Sequence, residues 1–209
     1  MTKLATTVLN QSLPVLLIGA TVVVSLAAWA SRRLLSGMLL VPYRVTHRGE
    51  VHRLLTAAFI HADLGHLSLN VLGLYLFAPA PLKVLGSTLF LVLYFSAAVA
   101  SCIPTTLRFR NQPKYSSLGA SGAIAAVMFS SILLQLEQTI APFGIRALAM
   151  PAYVFGLGYL AYSAWHSYQN SGNINHDAHF YGAAYGALYT YLLEPRLVER
   201  SIRHVAATL

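Results

Sequence analysis

Residues 117–136 read SLGASGAIAAVMFSSILLQL, twenty positions without a charge that open on Gly119-Ala120-Ser121-Gly122 and run on into small and branched apolar side chains. About twenty apolar residues is what a helix needs to cross a hydrocarbon core of ~30 Å. Five further apolar blocks flank this one, at about residues 13–30, 66–79, 84–103, 145–165 and 178–193. The second and the sixth are short for a full crossing, a shortfall that neighbouring helices or a thinned bilayer can absorb. The pattern predicts an all-α membrane protein with six transmembrane helices. It has one domain over residues 1–209: an N-terminal tail (1–12), a six-helix core (13–193) and a charged C-terminal tail (194–209).

Composition agrees. Of 209 residues, 56% are hydrophobic and 10% charged, and mean hydropathy is +0.60. A soluble domain carries about 25% charged residues, so there are too few here to cover a water-facing surface. The net charge of +8 falls between the apolar blocks, where it suits loops and lipid headgroups. It forms no basic stripe of the kind nucleic acid requires. The lone Cys102 cannot form an internal disulfide. Lys3, the first apolar block and Ala28-Trp29-Ala30 imitate a secretory signal, but the run is long for one and Arg32-Arg33 follows as a stop-transfer flank would.

Between blocks one and two, Val51, Leu54, Leu55, Ala58 and Phe59 recur at helical spacing with Arg48 and Arg53 among them. This predicts a short amphipathic helix at headgroup level. Pro79 and Pro81 are expected to mark the turn into block three. Pro104, Arg108, Arg110, Asn111, Pro113 and Lys114 read as a polar loop before block four, and Pro142 and Gly144 as the turn before block five. Glu194-Pro195 ends the sixth helix. Pro151, Gly156 and Gly158 are expected to weaken helix five, which with the polar segment 167–175 would form a gate to the bilayer.

Polar side chains inside apolar blocks are costly and need a reason. Block two opens with His66 and Asn70, four apart and therefore on one helix face. Block four opens with Ser121, and block six with His176-Asp177-Ala178-His179. In an alternating bundle the even-numbered helices all begin on one side of the membrane, so His66, Asn70, Ser121 and His179 share a side and a shallow depth. Ser121 supplies a hydroxyl nucleophile and His179 a base with an ordinary pKa near 6.5. His66, Asn70 and the Ser121 backbone N–H can donate to a developing oxyanion. Gly119 and Gly122 leave room beside the serine. Gly182 and Gly186 form a smooth strip that lets helix six approach Ala125 and Ala126 of helix four. Asp177 is expected to cap helix six and not to orient His179, since residues two apart on a helix face different ways. His176 would cap that helix too or sit at an aqueous mouth.

In order, spacing and helix assignment the chain resembles the rhomboid proteases. His61-Ala-Asp-Leu-Gly-His66-Leu-Ser-Leu-Asn70 looks like the family's H-x4-H-x3-N run, and Gly119-Ala-Ser121-Gly122 like its G-x-S-G nucleophile motif. Ala178-His179-Phe-Tyr-Gly182-Ala-Ala-Tyr-Gly186 is similar to its A-H-x-x-G-x-x-x-G motif. The resemblance implies a Ser121–His179 dyad without an acid in a water-filled cavity, with an oxyanion hole of His66, Asn70 and the Ser121 amide shaped by Gly119. It also implies a structural role for His61 and, for Arg53, the basic half of a Trp-Arg pair. No cofactor or metal is implied. The expected partners are the lipid bilayer and single-span membrane proteins, cut near the membrane surface, and the expected location is a bacterial inner membrane.

Two positions depart from the family pattern. His52 stands where a Trp is common, and Ala125 stands where an aromatic that stacks on the histidine is common; Tyr181 or Tyr185 is a candidate to replace it. With a cytoplasmic amino terminus, as the family commonly has it, eight basic residues fall outside and six inside, which the positive-inside rule does not favour. Two other readings use the same residues. One is a catalytically inactive binder of membrane proteins. The other is a metal-binding or transport protein using His61, His66, His176, His179 and Asp177.

Overall fold

A computed structural model of the protein describes residues 3–169 and 175–208, with side chains from residue 12 onward apart from residue 143. The fold is mostly helical. A long helix α1 (Lys3–Ala30) leads into three short ones, α2 (Arg32–Met38), α3 (Pro42–Arg48) and α4 (Arg53–Thr56), and a 3-10 turn over Ala57–Phe59. Then come α5 (Leu64–Phe77), α6 (Pro79–Ala100), α7 (Cys102–Arg108) and α8 (Ser121–Leu134). A two-residue hairpin pairs β1 (Thr139–Ile140) with β2 (Met150–Pro151) antiparallel. The chain continues through α9 (Ala152–Gln169), α10 (His176–Leu193) and α11 (Pro195–Thr208).

Among the described residues two stretches are long and apolar enough by themselves to cross a membrane, Ser12–Ala30 and Pro79–Arg108. α5 and α8 are apolar but have 14 residues each, about 21 Å at 1.5 Å per residue. They fall short of the bilayer core by length.

α8 lies at the centre. Every residue from Gly122 to Ile132 is buried, and α5, α6, α9 and α10 all pack on it. α10 comes closest. A Cβ added at Gly182 would overlap the Gly122 carbonyl, and one at Gly186 the Ala126 carbonyl, so the two backbones touch. The small strip on helix six thus meets Gly122 and Ala126. Ala125 instead faces a neighbouring apolar cluster with Phe129 and Ile132.

Several segments differ from their sequence reading. The single amphipathic helix expected around residues 51–59 is one turn of α4 and a 3-10 turn, preceded by two more short helices. Arg53 organises this first loop although it is a charge and 3% exposed. It donates to Glu50 Oε2 at 2.5 Å and to the carbonyls of Ser36 and Leu39 at 2.9 and 2.8 Å. His52 is exposed, so anchoring rests on Arg53 alone of that pair. Pro79 and Pro81 lie within the first turns of α6, where a missing N–H costs nothing, and the chain breaks instead at Gly86, whose φ is 75°. Pro104 and Arg108 continue helically in α7. Pro151 sits in β2, ahead of α9, and does not bend it; the helix starts at Ala152, later than the apolar block, because residues 139–151 form the hairpin. The charged tail is helical: α11 buries Val198, and His204 Nε2 meets Glu137 Oε2 at 2.9 Å. The expected gate loop falls largely on residues 170–174, outside the described residues.

Two measurements test this packing. Gly186→Ala is expected to cost about 1–3 kcal/mol by overpacking. Gly158→Ala, whose added Cβ meets nothing within 4 Å, should leave the melting midpoint in detergent unchanged or higher; equal losses in both would contradict the backbone contact. The second concerns Glu50, whose carboxyl is held below its ordinary 4.5 by the bond from Arg53, with the charges of Arg53, Arg44 and Arg48 adding to it. A depressed folded value stabilises above the unfolded pKa and is lost as pH falls through the folded one. Acidification from about pH 6 to about pH 3.5 should therefore lower the melting midpoint of the wild type more than that of Glu50→Gln.

Candidate active site

The site is built at the start of three helices whose ends are treated differently. α5 is capped by Asp63, which accepts from His66 N at 2.8 Å. α10 is capped by Asn175, which accepts from Ala178 N at 3.1 Å. α8 has no side-chain cap. Its first N–H groups, Ser121 among them, keep their donor capacity at the positive end of the helix.

The segment before Ser121 is held by the first loop. Ser117 and Leu40 exchange backbone hydrogen bonds of 2.9 and 3.0 Å, and Gly119 N–H donates to Ala57 O at 2.9 Å. Ala120 N–H donates to His61 Nε2 at 3.3 Å. His61 is fully buried, and burial, aided by the charge of His66 when protonated, pushes its pKa down to about 4. The neutral ring accepts at Nε2 and carries its proton on Nδ1, 3.0 Å from Ser25 Oγ, which itself donates to Phe59 O at 3.0 Å. Trp29 Nε1–H donates to the His61 carbonyl at 2.7 Å. His61 therefore joins α1, the first loop and the nucleophile segment.

Ser121 Oγ lies 2.7 Å from His179 Nε2. Gly119, with φ at 115°, adopts a backbone that L side chains rarely reach, and a Cβ there would stand 2.7 Å from His66 Cε1 and Nε2. The His66 ring thus rests on the peptide just before the serine. Asn70, 6% exposed, gives one Nδ2 hydrogen to His66 O at 2.8 Å and retains a second. A Cβ at Gly122 would collide with Ser101 Oγ. The structure thus gathers Ser121, His179, His66, Gly119 and Gly122 at one place, with Asn70 bonded to His66. Arg53 lies apart, in the first loop.

Asp177 does not cap α10; Asn175 does. Arg108 Nη1 donates to Asp177 Oδ1 at 2.9 Å and to the Ser167 carbonyl at 3.1 Å, and Ser167 Oγ donates to Asp177 as well. Asp177 is thereby turned toward α7 and α9. His176 is buried, its ring 4.8 Å from His166 and 5.7 Å from His179. Among the described residues no three His, Cys, Asp or Glu side chains converge as a metal ion would require.

Neither Tyr181 nor Tyr185 supports the His179 ring. Tyr181 is exposed, and Tyr185 donates to Ser96 Oγ at 2.8 Å. Tyr159 of α9 lies there instead, its centroid 6.2 Å away with planes 20° apart. No sequence signal marks Tyr159 among the twelve tyrosines, because its place depends on how α9 is rotated against α10. Asn175 was findable, since an Asn just ahead of an apolar block is a common N-cap.

Comparison with known proteins shows the family to which the chain belongs. The chain is 28% identical over 155 residues to RHOMBOID-like protein 12, mitochondrial, of Arabidopsis thaliana, covering 67% of this chain and 46% of that protein. It is 32% identical over 145 residues to YdcA of Bacillus subtilis, covering 69% and 68%. It is 34% identical over 91 residues to the rhomboid protease GluP of Bacillus subtilis, covering 44% and 17%. The chain spans about half the length of the mitochondrial relatives it matches. The Rhomboid domain model matches residues 48–196. Since that match covers most of the chain and takes in the end of the first loop, Ser121 and His179, the chain belongs to the rhomboid family, a family of integral membrane proteins and intramembrane proteases.

Proposed function

We propose that this protein is a serine endopeptidase that cleaves single-span membrane proteins within or next to the bilayer, using Ser121 and His179 as a dyad. The observation that carries the reading is the 2.7 Å separation of Ser121 Oγ and His179 Nε2 at the uncapped start of α8. In this reading α1, α5, α6, α8, α9 and α10 are six membrane crossings, the short ones shielded by neighbours. Residues 1–209 act as one multi-pass domain of a bacterial inner membrane.

The chemistry follows from the groups present. Ser121 Oγ attacks the scissile carbonyl carbon while its proton passes to His179 Nε2. The carbonyl oxygen becomes an oxyanion that accepts from the Ser121 N–H, the second Nδ2 hydrogen of Asn70 and a ring N–H of His66. Collapse breaks the C–N bond, and the proton on His179 Nε2 goes to the leaving amine. Water then attacks the acyl-Ser121 ester, gives its proton to the same nitrogen, and the acid departs as Ser121 recovers its proton. Asp177 takes no part, being engaged by Arg108 and Ser167. A substrate helix must unwind locally to offer its carbonyl, since helical carbonyls are already hydrogen-bonded.

Cleavage of a model transmembrane substrate in detergent tests the reading. Ser121→Ala and His179→Ala should both abolish cleavage and fluorophosphonate labelling. Loss of one oxyanion donor in Asn70→Ala should lower kcat by about 10²–10³-fold. Wild-type protein that neither labels nor cleaves would point to an inactive family member.

A further inference from the structure

His179 is fixed at one edge by Ser121, and its faces meet two rings. His176 stands edge-on at 5.7 Å and 73°. Tyr159 lies nearly parallel at 6.2 Å and 20°, within the 4.5–7 Å range of attractive offset stacking. α8 contributes no ring of its own to His179. Its residue one turn after Ser121 is Ala125, a methyl group 2% exposed. What α8 does supply is Phe129, whose ring lies 5.9 Å from Tyr159 at 49°. The order of contact is therefore Phe129, Tyr159, His179, Ser121, running from α8 out to α9 and back through α10.

The position of that ring has a mechanical consequence. Among the described side chains of α9, three residues are buried: Ala152, Gly156 and Ser163. Val154, Leu157, Tyr162, Trp165 and Tyr168 are exposed, so α9 sits at the periphery. At the active-site end it is tied by polar contacts, namely Arg108 to the Ser167 carbonyl, Ser167 to Asp177 and the stacked rings of His166 and His176. Contacts of this kind exchange readily with water, whereas the backbone contact of α8 with α10 does not.

We propose, resting on the protease reading above, that Tyr159 is the positioning residue for His179, so that the base is held from the outer helix α9 and its alignment follows the closure of α9. Displacement of α9 toward lipid takes the ring away from His179 and leaves the imidazole free to turn from Ser121. Return of α9 restores the dyad.

The test uses the full-length protein in detergent and three readouts: kcat and KM for a transmembrane substrate, the rate of labelling by a small water-soluble fluorophosphonate, and the melting midpoint. The probe is far smaller than a transmembrane helix, so its rate depends on the dyad more than on the entry of a substrate past α9. Tyr159→Phe keeps the ring and should retain at least half the labelling rate. Tyr159→Leu keeps an apolar side chain and removes the ring, and should lower both kcat and the labelling rate on the order of tenfold with KM within twofold. If Tyr159→Leu does not melt cooperatively, Tyr159→Met takes its place under the same criteria. Labelling at the wild-type rate in the ring-less variant overturns the proposal, including when its KM or kcat for the large substrate changes, because that is the signature of loosened packing. So does a loss in Tyr159→Phe as large as in Tyr159→Leu, which would assign the effect to the hydroxyl. Failure of the protease reading looks different: the wild type is then as silent as Ser121→Ala, and both inferences fall together.

Discussion

The backbone contact between α8 and α10 sets the geometry on which the site depends. Gly182 faces the Gly122 carbonyl and Gly186 the Ala126 carbonyl with no space for a methyl group between them. The helices that carry the second and third motifs are thereby brought close enough for a histidine on one to reach a serine 58 residues away on the other. Lipid-facing surfaces gain little from burying apolar area against each other, so helix association in a bilayer relies on close backbone packing and interhelical hydrogen bonds. Both are present here, the second as Thr190 Oγ1 donating to Ser130 Oγ at 2.7 Å three turns below the dyad.

The second requirement is to hold a non-helical segment inside protein without orphaned N–H groups. Residues 117, 119 and 120 meet it through the first loop, with Leu40, Ala57 and His61 each taking one of their N–H donors. This explains why the first loop carries so many buried groups. Arg53 fixes Ser36 and Leu39, the backbone of Leu40 fixes Ser117, and His61 ties the result to Ser25 of α1. The helices supply the reacting side chains, and the loop aims one of them.

The region beyond α8 is built differently. α9 has few buried side chains and is fastened at its active-site end by hydrogen bonds of Ser167 and by ring contacts, a distribution that suits an element with low local stability. Asp177 belongs to this fastening. Its carboxylate accepts from Arg108 and Ser167, which turns it from His179 and ties the ends of α7, α9 and α10 together. α10 thus carries both contacts: its Asp177 meets Ser167 of the outer helix, and two residues on, its His179 faces Ser121.

Much of this was legible from the chain. The paucity of charge and the order of the apolar blocks foretold a helical membrane protein. The polar groups at the starts of blocks two, four and six put His66, Asn70, Ser121 and His179 on one side, because helical periodicity and alternating direction are local properties. The glycine strip on block six was readable for the same reason. What depended on contacts between distant segments was not readable. The hairpin at 139–151, the breakdown of the first loop into short helices and the choice of Tyr159 over Tyr181 or Tyr185 were all settled by which surfaces meet. A residue's phase on its own helix follows from sequence, but the rotation of that helix against its neighbour follows from packing, and packing decided which ring came to lie on the imidazole.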